Sequence, residues 1–133
     1  MKYKTFTRQL RCLNDNREEL ARLESSLEDF VYAMSGVKAI RYDMSAVHGN
    51  PSVSEEKRLD MIERYNAMLK EYETTEKNIA LIMNILMQMP TELRMLLEEV
   101  YVQGMSFSKV GKEHGYSDHG LWKMMKREAE KYL

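Results

Sequence analysis

The chain has 133 residues, of which 44% are hydrophobic and 31% charged, and its formal net charge is −1. This length predicts one domain, or one small domain with a helical extension, and a composition with only six glycines and two prolines favours long helices. The balanced charge excludes a chain that coats nucleic acid along its whole length, so any DNA-binding surface must be a local patch. The single cysteine, Cys12, excludes an intramolecular disulfide and predicts a reducing, cytoplasmic setting. No signal peptide or membrane-spanning segment is expected, because polar residues interrupt the most apolar stretch and the N-terminus lacks an apolar run.

A long helix is predicted first, over residues 6–34. Its apolar residues recur on the alternating four- and three-residue step of a coiled-coil seam. They are Phe6, Leu10, Leu13, Leu20, Leu27, Val31 and Met34. Asn14, Asp15 and Asn16 are three poor helix formers in a row, so a kink or a fresh helix start would fall near Asp15.

Residues 35–54 are predicted to form an ordered connecting loop or a short helix, because glycine and proline punctuate a stretch that keeps a helical apolar spacing. Ser54 then provides an N-cap for a second long helix that ends near Gln88. This helix has an apolar stripe of its own. Two stripes of similar length joined by a loop predict a long antiparallel helical hairpin over residues 1–90, which is also the candidate interface of a homodimer.

Charged residues interrupt both stripes, among them Arg17 in the first helix and Glu76 in the second. An antiparallel register that sets Met34 opposite Leu59 also sets Arg17 opposite Glu76. We therefore predict that these two residues form an ion pair that fixes the register. The alternative is that each long side chain extends separately into solvent.

Pro90 ends the second helix, and a supporting helix is predicted over residues 92–102. Two short helices joined by a tight turn follow. Ser106 caps the first, over residues 107–113, and Ser117 caps the second, which runs toward the C-terminus. Gly115 lies in the turn, where the backbone needs a positive φ. Small and apolar residues then fall where a helix-turn-helix buries them, and they are Val110, Gly111, Tyr116, Leu121 and Met124.

The outward face of the second short helix is the candidate DNA-binding surface, because this face enters the major groove in DNA-binding helix-turn-helix proteins. We expect Lys123, Lys126 and Arg127 to contact phosphates, with Lys112 assisting. Ser117 and His119 would lie nearest the base edges, and Trp122 would contact a thymine methyl group or a sugar. The alternative is a helical hairpin that merely closes a bundle.

A family resemblance accompanies this spacing. It is carried by Arg94, Leu96, Leu97, Tyr101, Gly104, Gly115, Tyr116, Ser117, Ala129 and Leu133. Residues 93–133 resemble the last helix-turn-helix of bacterial sigma factors. They are still more similar to phage and prophage regulators built on that domain, including ArpU-type late-gene regulators, and residues 40–51 also resemble an upstream segment of such proteins. The resemblance implies a sigma region-four-like domain over residues 91–133, in a transcriptional regulator that binds duplex DNA.

Two other functions remain open at this point. One is an adaptor that binds RNA polymerase or another regulatory protein through the same helices, which the low net charge and Asp118 favour. The other is a structural or assembly protein in which the hairpin is the active part. We do not expect an enzyme, a cofactor or a metal site, because the sequence lacks a phosphate-binding glycine loop, a nucleophile elbow and a His-Glu-x-x-His pair.

Overall fold

The computed structural model describes the backbone of residues 1–44 and 51–133 and the side chains of residues 1–34 and 55–133. Within these residues every regular element is helical and there is no strand, so the predicted all-α class is confirmed. The elements are α1 (Tyr3–Arg11), α2 (Leu13–Met44), α3 (Pro51–Gln88), α4 (Thr91–Leu97), a π-helical segment (Glu98–Val102), α5 (Phe107–His114) and α6 (Asp118–Glu130).

The first long helix differs from its prediction at both ends. It is divided at Cys12, three residues before the expected break near Asp15. Ser35 and Gly36 do not end α2, which continues to Met44. A single glycine costs a helix only about 1 kcal/mol, and the apolar spacing beyond it still favours helix. Residues 45–50 of the predicted loop, which include part of the upstream resemblance, lie outside the described residues.

The second long helix begins at Pro51, three residues before the predicted cap. Proline is well suited to a first helical position, because its fixed φ is helical and its missing N–H would have no partner there. The helix ends at Gln88, as predicted. Pro90 then becomes the N-cap residue of α4.

The chain divides into two compact units, and this division differs from the boundary predicted at residue 90. The first unit comprises residues 1–17 and 77–133, and the second comprises residues 18–76. The ends of the long helices join the C-terminal helices because their apolar residues share one core with them. That core includes Phe6, Leu10, Leu13, Ile82, Leu86, Met89, Leu93, Leu96, Leu97, Val100, Tyr101, Val110, Leu121, Met125 and Ala129.

Tyr101 of the π-helical segment connects several parts of the first unit. Its hydroxyl lies 3.2 Å from the Tyr3 hydroxyl of α1 in a buried hydrogen bond. Its ring also meets the Phe107 ring of α5 edge to face, with centroids 6.0 Å apart. Beside it, the amide of Asn14 donates to the carbonyl oxygen of Val102 at 3.3 Å. The predicted supporting helix therefore ends in a π turn that packs on both α1 and α5.

The ion pair predicted between Arg17 and Glu76 is absent among the described residues. The Arg17 guanidinium instead donates to the sulfur of Met83 at 3.2 Å. Met83 follows Glu76 by seven residues, which is about 10 Å along an α-helix. Farther along the helices, Phe30 contacts Tyr65, two residues from the position that the predicted register sets opposite it.

The second unit pairs residues of α2 and α3 but leaves large apolar side chains in solvent. The Phe30 and Tyr65 rings lie 5.9 Å apart, and Leu23 is buried. Tyr32 is nevertheless 81% exposed and Leu59 60% exposed. This unit therefore leaves apolar surface exposed to solvent.

We expect the Tyr3 hydroxyl to make stability sensitive to alkaline pH. Burial, and secondarily the hydrogen bond with Tyr101, raise the pKa of the Tyr3 phenol well above its ordinary value of 10.0. The unfolded chain releases this proton near pH 10 while the folded chain retains it. The stabilising contribution of the buried, neutral Tyr3 phenol is therefore complete below about pH 10. It is lost as the pH rises further.

The measurement is urea unfolding of wild type and Tyr3→Phe at several pH values from 8 to 11. At pH 8 the variant should be less stable by about 1 kcal/mol, because the Tyr101 hydroxyl loses its partner. Above pH 10 its free energy of unfolding should fall less steeply than that of wild type. Tyr32→Phe, at an exposed tyrosine, is the matched control and should follow wild type. If the free energy of unfolding depends on pH in the same way for Tyr3→Phe and wild type, the expectation is contradicted.

Candidate nucleic-acid interface

The turn between α5 and α6 has the local geometry that the sequence predicts. The Ser106 hydroxyl accepts a hydrogen bond from the Lys109 amide at 3.1 Å, and the Ser117 hydroxyl accepts one from the Gly120 amide at 3.1 Å. Gly115 has φ 80° and ψ 26°, the left-handed conformation. The α5 helix is one residue longer than predicted and ends at His114. These caps satisfy backbone groups that each helix start leaves without partners.

The inner face of the motif is largely as predicted, with one correction. Val110 and Leu121 are completely buried. Met125, rather than Met124, completes the buried stripe of α6 together with Ala129, and Met124 is half-buried. Residues 121, 125 and 129 follow a four-residue step, which keeps them close to one line on a helix with 3.6 residues per turn.

The outer face of α6 brings several predicted residues into contact. The His119 ring stacks on the Trp122 ring with centroids 6.0 Å apart and an interplanar angle of 14°. The Lys126 ammonium lies 5.2 Å from the centroid of the same Trp122 ring. Trp122 is 37% exposed and therefore presents part of its ring to solvent. We call His119, Trp122 and Lys126 the α6 stripe.

The other predicted DNA-binding residues flank this stripe or lie apart from it. Lys123 is exposed on α6, and Lys112 is exposed on α5. Ser117 is exposed, and its hydroxyl oxygen is occupied by the helix cap, which leaves its hydroxyl proton available to donate. Arg127 donates to the Glu128 carboxylate at 3.3 Å. Hydrogen bonds from Lys131 and then Arg127 lower the pKa of that carboxyl.

A groove between α1 and α6 adjoins the α6 stripe, and the sequence analysis missed it. Its volume is about 610 Å³, and it is lined by cationic side chains of both helices and by aromatic rings. We call it the basic groove, and its principal residues are Lys2, Lys4, Arg11, Lys126, Tyr3, Tyr101 and Trp122. A sequence signal was present, because the first 14 residues contain four basic residues and no acidic one.

Charge is segregated between the two compact units. Residues 1–17 and 77–133 contain 13 lysines and arginines against 8 acidic residues, a formal charge of +5. Residues 18–76 contain 7 against 13, a formal charge of −6. The overall charge of −1 therefore conceals a basic unit that contains α5 and α6 and an acidic unit that contains neither.

One cluster among the described residues could offer ligands to a metal ion. The ligand atoms of Glu99, Glu113 and His114 lie within 4.8 Å of one another. The His114 ring nitrogen is 3.1 Å from a Glu99 carboxylate oxygen. Two carboxylates and one imidazole suit a divalent cation completed by water. The contact between His114 and Glu99 also links the π-helical segment to α5.

Searches for related proteins add no functional information. No protein-family model, no curated protein and no solved structure matches the chain. Among the described residues, no helix combines the length and the apolar character needed to cross a membrane. Function must therefore be inferred from the arrangement and charge of the residues themselves.

Proposed function

We propose that the chain is a DNA-binding transcriptional regulator of the phage or prophage kind, and that α6 enters the major groove of duplex DNA. The observation that carries this proposal is the exposed α6 stripe on the second helix of a capped helix-turn-helix. In that class of motif the second helix reads the bases while neighbouring elements contact the backbone. The formal charge of +5 on the first unit supports the proposal, because neutralisation of phosphates supplies most nonspecific affinity for DNA.

The residues of α6 divide into two roles under this proposal. Lys123, Lys126 and Arg127 contact phosphates and set the position of the helix. Ser117 and His119, near the N-terminal end of α6, contact base edges, because that end of a recognition helix lies deepest in the groove. Trp122 contacts a thymine methyl group or a sugar through its exposed ring edge. Asp118 on the same face can accept a hydrogen bond from a cytosine amino group.

The test is a salt titration of binding to duplexes of unrelated sequence, measured by fluorescence anisotropy. Lys126→Ala and Arg127→Ala should each weaken binding to all duplexes alike. Each should reduce the slope of log affinity against log salt by about 0.9, the value for one lost phosphate contact. Lys57→Ala, at an exposed lysine of the second unit, removes the same charge and should leave the slope unchanged.

Absence of affinity for any duplex at low salt would rule out this function. It would favour an adaptor that binds RNA polymerase or another protein. The observation that favours the adaptor is a second groove, of about 480 Å³, whose lining combines apolar and acidic side chains of the second unit. They are Glu24, Leu27, Glu28, Val31, Tyr32 and Tyr72. A second copy of the chain is another candidate occupant of this surface.

A further inference from the structure

We propose that α1 is a second arm of the DNA interface and that the basic groove receives the sugar-phosphate backbone of one DNA strand. This inference rests on the proposed function, since it adds residues from the opposite end of the chain to the surface formed by α6. It assigns phosphate contacts to Lys4 and Arg11, which come from a helix outside the helix-turn-helix.

The charge of the groove is complementary to a phosphate backbone. The charged side chains that line it are four cations and one acid, namely Lys2, Lys4, Arg11, Lys126 and Glu130. The groove floor includes the hydrogen-bonded hydroxyls of Tyr3 and Tyr101. The lining therefore has a formal excess of three positive charges from these side chains.

Aromatic rings hold two of these cations in place before any ligand binds. The Arg11 guanidinium lies 5.3 Å from the centroid of the Tyr101 ring. The Lys126 ammonium lies 5.2 Å from the centroid of the Trp122 ring. A side chain that is already positioned loses less conformational entropy on binding than a free one. Arg11 and Lys126, two of the four cationic side chains in the groove, are therefore positioned before an anion binds.

The dimensions and position of the groove favour an extended polyanion over a single small anion. Lys4 and Arg11 are seven residues apart, or about 10 Å along α1. Because one DNA strand advances only about 3.4 Å along the helix axis per phosphate, a groove of this length can contact more than one phosphate. Trp122 and Lys126 belong both to the groove and to the α6 stripe. The DNA strand that borders the major groove beside α6 can therefore continue along α1.

The test compares the salt dependence of duplex binding between wild type and the double variant Lys4→Ala/Arg11→Met. Methionine keeps an apolar side chain over the Tyr101 ring while removing the charge. We expect the double variant to have a slope lower by about 1.8, so that its loss of affinity between 50 and 200 mM salt is about tenfold smaller. Circular dichroism melting of each protein verifies that it is folded.

Lys77→Ala is the matched control, because Lys77 is exposed, belongs to the same compact unit and does not line the groove. Its slope should equal that of wild type. If wild type binds DNA but Lys4→Ala/Arg11→Met retains the wild-type slope, the role of α1 is refuted and the role of α6 stands. The role of α1 is also refuted if Lys77→Ala reduces the slope as much as each of the two groove substitutions does. Loss of net charge alone would then explain the effect. If wild type binds no duplex at low salt, both the proposed function and this inference fail.

Discussion

Replacement of Phe6 by alanine is expected to lower the free energy of unfolding of the first unit by about 3–5 kcal/mol, the usual cost of deleting a buried phenyl ring. Phe6 is completely buried and belongs to the same core cluster as Leu97, Leu121 and Met125. Because α1 packs on the π-helical segment and on α6, the cavity left by the Phe6 ring would lie in the core that these elements share. Urea unfolding followed by circular dichroism measures the loss.

Phe30→Ala makes the same chemical change in the second unit and serves as the control. Phe30 is half-buried and contacts Tyr65, so its removal should cost clearly less. Comparable losses for the two variants would contradict the assignment of α1 to the core of the first unit. A loss below about 1 kcal/mol for Phe6→Ala would do so as well, because it would place the ring in a site of low burial.

Substitution of Gly111 by alanine should be the most damaging single change in the turn, at about 3 kcal/mol. An added Cβ atom would lie 2.5 Å from the Tyr116 carbonyl oxygen, which is backbone and cannot rotate away. The Tyr116 amide also donates to the Gly111 carbonyl oxygen at 2.7 Å, so the two residues are held together. Relief of the clash requires α5 to move away from the turn that leads into α6.

Gly115→Ala is the informative comparison, since its Cβ atom would meet nothing within 4 Å. Its cost comes only from the left-handed backbone at φ 80° and should be about 1–2 kcal/mol. We therefore expect Gly111→Ala to have the lower melting temperature of the two. If Gly115→Ala has the lower melting temperature, the left-handed backbone at Gly115 matters more for the stability of the turn than the close approach at Gly111 does.

Several features could be predicted from neighbouring residues alone. The caps at Ser106 and Ser117, the left-handed Gly115 and the end of α3 before Pro90 all depend on interactions within about four residues. The predicted end of the first long helix was wrong, because two local signals competed there. Helical spacing continued through Gly36 and outweighed its low helix propensity, so α2 extends to Met44.

Contacts between distant residues, and the choice of which residue is buried, could not be predicted from the sequence. The contact of Arg17 with Met83 rather than with Glu76 could not be predicted from the apolar stripes, because they set only the approximate register of the two helices. Met124 and Met125 are adjacent, and only packing against the core shows that Met125 is the buried residue.

The all-α class, the helix starts and the turn between α5 and α6 were determined by the sequence itself, because propensities, caps and glycine conformations act over a few residues.

The basic groove was decided only by the tertiary structure. It joins Lys4 and Arg11 near one end of the chain to Trp122 and Lys126 near the other. Along the sequence the basic N-terminal residues are followed by an acidic segment, so their charge averages out over residues 1–90. In the fold, residues 18–76 form one compact unit, and the remaining residues, with a formal charge of +5, form the other. Electrostatic potential depends on distance in space, and only the fold sets those distances.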